Sequence, residues 1–148
     1  MRRLCIGIAV VVVGVLLVPG VADSAAKKRH KVDVSVRAAV VGTSGNSNIV
    51  AGTLSGPPAG AGAVVYRSTP SGSGIAARYT AFYKRGTLRG TSLLTATSQP
   101  DGSVSFSGTL QIKGGSGRYR GAKGKDLKVT GTLANNVITF HITGSVRY

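Results

Sequence analysis

Strict alternation of apolar and polar residues constrains this chain more than any other feature. Val104, Phe106, Gly108, Leu110 and Ile112 alternate with Ser103, Ser105, Ser107, Thr109, Gln111 and Lys113. Ile138, Phe140, Ile142, Gly144, Val146 and Tyr148 alternate with Val137, Thr139, His141, Thr143, Ser145 and Arg147. Val32 to Val40 and Leu127 to Leu133 follow the same rule. Successive side chains of an extended strand point to opposite faces, so a period of two means strands with one dry and one wet face. Such strands are normally antiparallel. No helical spacing is sustained from residue 32 to 148; one helical turn fits near Gly117 to Ala122.

Turn chemistry divides the alternating chain into eight expected strands, at about 32–41, 48–54, 63–67, 75–84, 87–97, 103–113, 125–134 and 137–147. Pro100-Asp101-Gly102 and Asn135-Asn136 read as tight turns, because Asn and Gly tolerate positive φ. Gly56-Pro57-Pro58 ends a strand, and Ser71-Gly72-Ser73-Gly74 reads as a flexible loop. Eight antiparallel strands close into a barrel or stack as a sandwich. Gly108, Gly131 and Gly144 fall mid-strand on the apolar face, where a barrel needs sharp coiling or interior room. The tripeptide Gly-Thr-Leu recurs at 52–54, 86–88 (with Gly86-Thr87-Leu88), 108–110 and 131–133. The expectation is an all-β, eight-stranded antiparallel β-barrel over residues 32–148.

Residues 1–26 have a different character. Arg2 and Arg3 precede an apolar run from Leu4 to Val18, which stops at Pro19-Gly20 before the small residues Val21 to Ala26. The run is shorter than the about 20 residues that cross a bilayer as a helix. This pattern is that of a signal peptide, with cleavage after Ala22, Ser24 or Ala26, and it predicts a secreted protein. The membrane is then met only through this segment, before cleavage. The one cysteine of the chain, Cys5, lies inside it, so the exported part has no thiol to pair. The formal charge of +15 becomes +14 when Arg2, Arg3 and Asp23 leave.

That charge bears on function. Lys27-Lys28-Arg29-His30-Lys31 reads as a basic spacer, and Arg118, Arg120, Lys123, Lys125 and Lys128 form a second basic group. Lys27, Lys28, Arg29, Lys31 and the second group are the candidates for contact with an anionic surface, such as an envelope polymer. One interleaved aromatic, Tyr119, does not make a base-stacking platform, so no specific nucleic-acid partner is expected.

Catalytic and metal chemistry are poorly supplied. The acids are Asp23, Asp33, Asp101 and Asp126, with no Glu. His30 and His141 stand apart without a carboxylate pattern, so neither a metal site nor a triad is expected. The Gly114–Lys123 stretch lacks the Gly-Lys-Ser/Thr ending of a phosphate loop, and no cofactor motif appears. Alternation of Ala77, Tyr79, Ala81 and Tyr83 with Arg78, Thr80, Phe82 and Lys84 puts large rings beside small residues on one face. If the barrel is hollow, Tyr79, Tyr83, Phe106 and Phe140, then Tyr66, are the candidate lining residues. A hollow of several hundred Å³ with polar groups on its floor would favour a ligand or a substrate; a filled interior would favour neither.

Gly114-Gly115-Ser116-Gly117-Arg118-Tyr119-Arg120-Gly121-Ala122-Lys123-Gly124 resembles the Gly-Gly-Thr/Ser-Gly…Gly-Ala-x-Gly segment of the allene oxide cyclase barrel-like and dirigent superfamily. Asp101 to Gly108 before it and Val137 to Phe140 after it look like small secreted bacterial members. The likeness covers residues 86–148 well and 32–85 in outline. It implies an eight-stranded barrel with an interior ligand cavity, and an isomerase, cyclase or dirigent-like activity on lipid or phenolic intermediates. The glutamate of the cyclases has no counterpart here. The function expected is therefore non-catalytic: holding a small apolar molecule, or serving as an accessory at the cell envelope.

Overall fold

The computed structural model describes residues 27–148. The expected export segment, 1–26, lies outside the described residues. Eight strands follow one another: β1 (Arg29–Ser44), β2 (Ser47–Ser55), β3 (Gly62–Ser71), β4 (Gly74–Tyr83), β5 (Gly86–Ser98), β6 (Val104–Gly115), β7 (Gly124–Ala134) and β8 (Val137–Arg147). Each pairs antiparallel with the next, and β8 returns to β1, so the sheet is a closed barrel in sequence order. Closure leaves no unpaired strand edge.

The alternation read from the sequence becomes the inside and outside of the barrel. Val32, Val34, Val36 and Ala38 are buried, as are Leu110 and Ile112 on β6 and Ile138, Ile142 and Val146 on β8. Arg37, Arg67, Arg78, Arg89, Thr109, Lys128, Thr130 and Thr132 point outward and are exposed. A barrel that faces lipid carries an apolar outer band; here the polarity is reversed. No helix among the described residues is long and apolar enough to cross a membrane, which says nothing of strands.

The turns follow their chemistry. Asn135 and Asn136 take φ of 49° and 61°, the left-handed pair that a two-residue hairpin requires. In the β5–β6 turn the Asp101 carboxylate accepts hydrogen bonds from the Ser103 amide (2.9 Å) and hydroxyl (2.7 Å). Three details differ from the expectation. Ser71-Gly72-Ser73-Gly74 is a tight hairpin rather than a loop: Ser71 pairs with Gly74, and Gly72 takes φ 58°. Arg29, His30 and Lys31 are strand rather than spacer, because Arg147, Val146 and Ser145 of β8 offer them partners. The β3 strand runs on through Thr69 and Pro70, held by Ala76 and Ile75 of β4.

The mid-strand glycines serve close approach and leave no interior room. A methyl on Gly108 would run into the backbone at Leu93 and Leu94, and one on Gly131 into Thr139 and Phe140. Gly90 sits at the β5–β6 bulge, and its bare Cα lets the Tyr79 hydroxyl reach the Gln111 carbonyl at 3.3 Å. Close strand-to-strand approach of this kind permits the coiling that closes a small barrel. The segment between β6 and β7 forms a single 3-10 turn, Gly117–Tyr119, which carries Tyr119 over one end of the barrel.

Candidate functional site

The two ends of the barrel differ. At one lie the β1–β2, β3–β4, β5–β6 and β7–β8 hairpins; at the other lie the remaining connections and the unlinked end of the β1–β8 seam, where Arg29 faces Arg147. The seam end is plugged. Tyr119, only 3% exposed, packs against Tyr83 at 5.6 Å and edge-on against Tyr148 at 5.0 Å. Tyr148 in turn stacks on His30 at 4.3 Å and 11°. Beneath this plug remains a void of about 40 Å³, bounded by Pro58, Tyr79 and Tyr83 among others.

The hairpin end is hollow. A cavity of about 190 Å³ opens toward the hairpins, with Val40, Asn48 and Ser68 near its mouth and Tyr66, Leu110 and Ile142 deeper in. Phe106 and Phe140 pack at 5.7 Å along one wall, and Phe140 meets Tyr66 edge-on at 6.0 Å. Tyr66 contacts Tyr79, also at 6.0 Å, so the Tyr66–Tyr79 pair separates the cavity from the smaller void. Ala77 and Ser92 make the opposite wall. These short side chains face each other across the β4–β5 ladder, and their missing volume is the cavity.

Five residues were expected to line a hollow. Tyr66, Phe106 and Phe140 do so; Tyr79 and Tyr83 belong to the smaller void and the plug. Ser92 was not anticipated. A polar residue on an inner row breaks the alternation that identifies that row, so the sequence carries no signal for it.

The polar groups of the cavity are few and neutral. No charged side chain lines it. Among the described residues, the Ser92 and Tyr66 hydroxyls have no hydrogen-bond partner, although these residues are 9% and 7% exposed. Ser92 lines the cavity, and Tyr66 lines both the cavity and the smaller void. Burial pushes the Tyr66 and Tyr79 phenols well above their usual range and that of Tyr83 up to about 12. At neutral pH these are hydrogen-bonding groups, not bases. The cavity can hold an uncharged apolar body and offer it one or two hydroxyl contacts.

The basic candidates converge at the plugged end. The Lys27 ammonium donates to the Gly121 carbonyl at 2.7 Å, the Lys123 and Arg147 backbones exchange amide-to-carbonyl hydrogen bonds, and Arg29 lies opposite Arg147. Two basic segments distant in sequence thus share one rim, with Lys28, Arg118, Arg120 and Lys125 exposed beside them. Lys31 is engaged with Asp33 at 3.5 Å, and Lys128 stands apart, further along β7. His141 does have a carboxylate partner, contrary to expectation: its Nε2 lies 2.8 Å from Asp33 Oδ1. The β1–β8 register sets these two residues on a diagonal of the outer face, a relation that no sequence spacing encodes. Among the described residues no group of three potential metal ligands occurs. Comparisons with protein-family models, curated proteins and solved structures find no match for this chain.

Proposed function

We propose that this is an exported, non-catalytic barrel that holds a small, uncharged, largely apolar molecule in its hairpin-end cavity. The observation that carries the reading is the cavity itself: about 190 Å³, walled by aliphatic and aromatic side chains, with Ser92 and Tyr66 among its lining residues. Its volume is below the several hundred Å³ typical of larger ligands. An apolar cavity of about 150 Å³ is enough to take up benzene. The ligand class is therefore a single ring or a short branched chain with one hydrogen-bonding group. Kinship with the allene oxide cyclase and dirigent superfamily, inferred from the Gly114–Gly124 segment, is compatible with such a cavity. The enzymatic reading is less well supported, because no carboxylate lines the cavity to stabilise a developing cation.

Indole is a suitable probe, since the protein has no Trp and indole fluorescence is read without background. The expected result is a saturable blue shift of indole emission that Ala77→Leu abolishes by filling the cavity. Equal response in the filled variant, or none in either, overturns the reading. Export is tested separately: deletion of Leu4 to Val18 should leave the protein in the cytoplasm.

A second reading draws on the basic rim, where the hydrogen bond from Lys27 to Gly121 unites the two basic segments. The rim would bind an anionic envelope polymer through long-range attraction. Retention on polyphosphate-coated beads that vanishes between low and moderate salt supports it; salt-independent retention opposes it.

A further inference from the structure

The outer face of β3, β4 and β5 carries a feature that neither the cavity nor the basic rim accounts for. Arg67 of β3 stands directly opposite Arg78 of β4, and Arg78 opposite Thr91 of β5. Residues so paired are about 5 Å apart at Cβ, and like charges there repel. Arg89 adds a third cation on the diagonal, since it faces Thr80, two residues beyond Arg78. All three arginines are exposed.

No carboxylate among the described residues pairs with them. Among the described residues the ion pairs are Lys31–Asp33 and His141–Asp33, both on the other side of the barrel at the β1–β8 seam. Asp101 is engaged with Ser103 in the β5–β6 turn. Asp126 lies at the start of β7. The next row toward the hairpins is Thr69, Ala76 and Leu93. The short Ala76 side chain leaves a surface hollow of about 350 Å³, bounded by Arg67, Arg78, Thr69 and Thr91. Two arginine side chains and Thr91 thus border one depression; the Thr69 hydroxyl beside it is hydrogen-bonded to Ser47 at 2.9 Å.

We propose that this hollow is a binding site for a tetrahedral oxyanion of the phosphate or sulfate class, free or as the terminal group of a larger ligand. Guanidinium matches such oxygens two at a time, and the Thr91 hydroxyl donates to one that remains. The anion supplies the negative charge that the Arg67–Arg78 pair lacks. The site is on the outside of the wall whose inner surface is Ala77 and Ser92, so it is separate from the cavity.

The test is titration of inorganic phosphate into the isotopically labelled protein at constant ionic strength, observing the arginine Nε–Hε NMR signals. Arg37 is an internal control, an outward arginine flanked by Thr53 and Thr139 rather than by a second arginine. The expected result is saturable shifts at Arg67 and Arg78, with only a weak linear drift at Arg37. In Arg78→Gln the Arg67 response should weaken about tenfold, as one charge-assisted arm is lost. The urea midpoint of that variant should hold or rise, because a repulsion is removed. Phenyl phosphate provides the second arm: tighter binding than inorganic phosphate identifies a group borne on a larger molecule, and weaker binding identifies the free ion. Equal, non-saturating shifts at Arg37, Arg67 and Arg78, or an unchanged Arg67 response in Arg78→Gln, overturn the proposal.

Discussion

The two halves of the barrel interior use aromatic residues in opposite ways. At the seam end Tyr83, Tyr119, Tyr148 and His30 pack on one another in a chain and seal the barrel. At the hairpin end Tyr66, Phe106 and Phe140 stand around a space that they do not fill. The difference lies less in the rings than in what faces them. The plug closes over Ala122, Leu127 and Val146, which have no measurable exposure. The cavity rings face Ala77 and Ser92, which are too short to meet them. An eight-stranded barrel is just wide enough to be filled by side chains, so a pair of short residues decides whether it is solid or hollow.

The comparison can be broken most forcefully at the plug. Tyr119→Ala removes a fully enclosed ring and should cost about 3–5 kcal/mol in urea unfolding, by analogy with other buried aromatic deletions. A loss below about 1 kcal/mol would show that the plug is not a closed core.

High pH probes the same rings. The Tyr83 phenol rises from 10.0 to about 12, and those of Tyr66 and Tyr79 rise further. The unfolded chain loses these protons near pH 10, whereas the folded chain keeps them. The stability they contribute is therefore complete below pH 10 and is lost as pH climbs through 12. Absorbance at 295 nm should show these phenols ionising together with unfolding. Their full ionisation near pH 10 with the fold intact would contradict the burial.

A matched pair of substitutions compares the halves directly. Ala122→Leu, under the plug, should destabilise by about 1–3 kcal/mol through overpacking. Ala77→Leu, in the cavity wall, should change stability by less than about 1 kcal/mol, since the added methyl groups enter vacant space. Equal costs would mean that the cavity collapses in solution. The smallest effect belongs to the exterior. The exposed Asp33 carboxyl is held below its usual range chiefly by the His141 hydrogen bond, so its contribution is present near neutrality and lost as pH falls through its lowered folded value. Asp33→Asn should move the urea midpoint only slightly.

Much of the fold was legible because alternation survives folding unchanged. The face assignments of β1, β6, β7 and β8 and the Asn135-Asn136 hairpin follow from residue type and spacing. Register was not legible. The meeting of Arg67 with Arg78 is set by the tight Gly72-Ser73 hairpin, which reads as a loose loop in the sequence, and that of Asp33 with His141 by the closure of β8 on β1. The hollow was legible in part. Ala77 beside Tyr79 hinted at it, but Ser92 resembles an outward residue, and the inner glycines that suggested free volume are occupied by neighbouring strands.

Closure of the sheet by β8 on β1 has a consequence for connectivity. The Tyr148 amide donates to the Lys28 carbonyl at 3.3 Å, and Arg29 lies opposite Arg147. The seam is an ordinary ladder that happens to have no peptide link across it. A few added residues could join Tyr148 to Lys28, and a cut at Gly72–Ser73 could replace the lost ends, giving a circular permutant with all eight ladders retained. The architecture is a ring, and where the polypeptide starts along it is a matter of covalent bookkeeping.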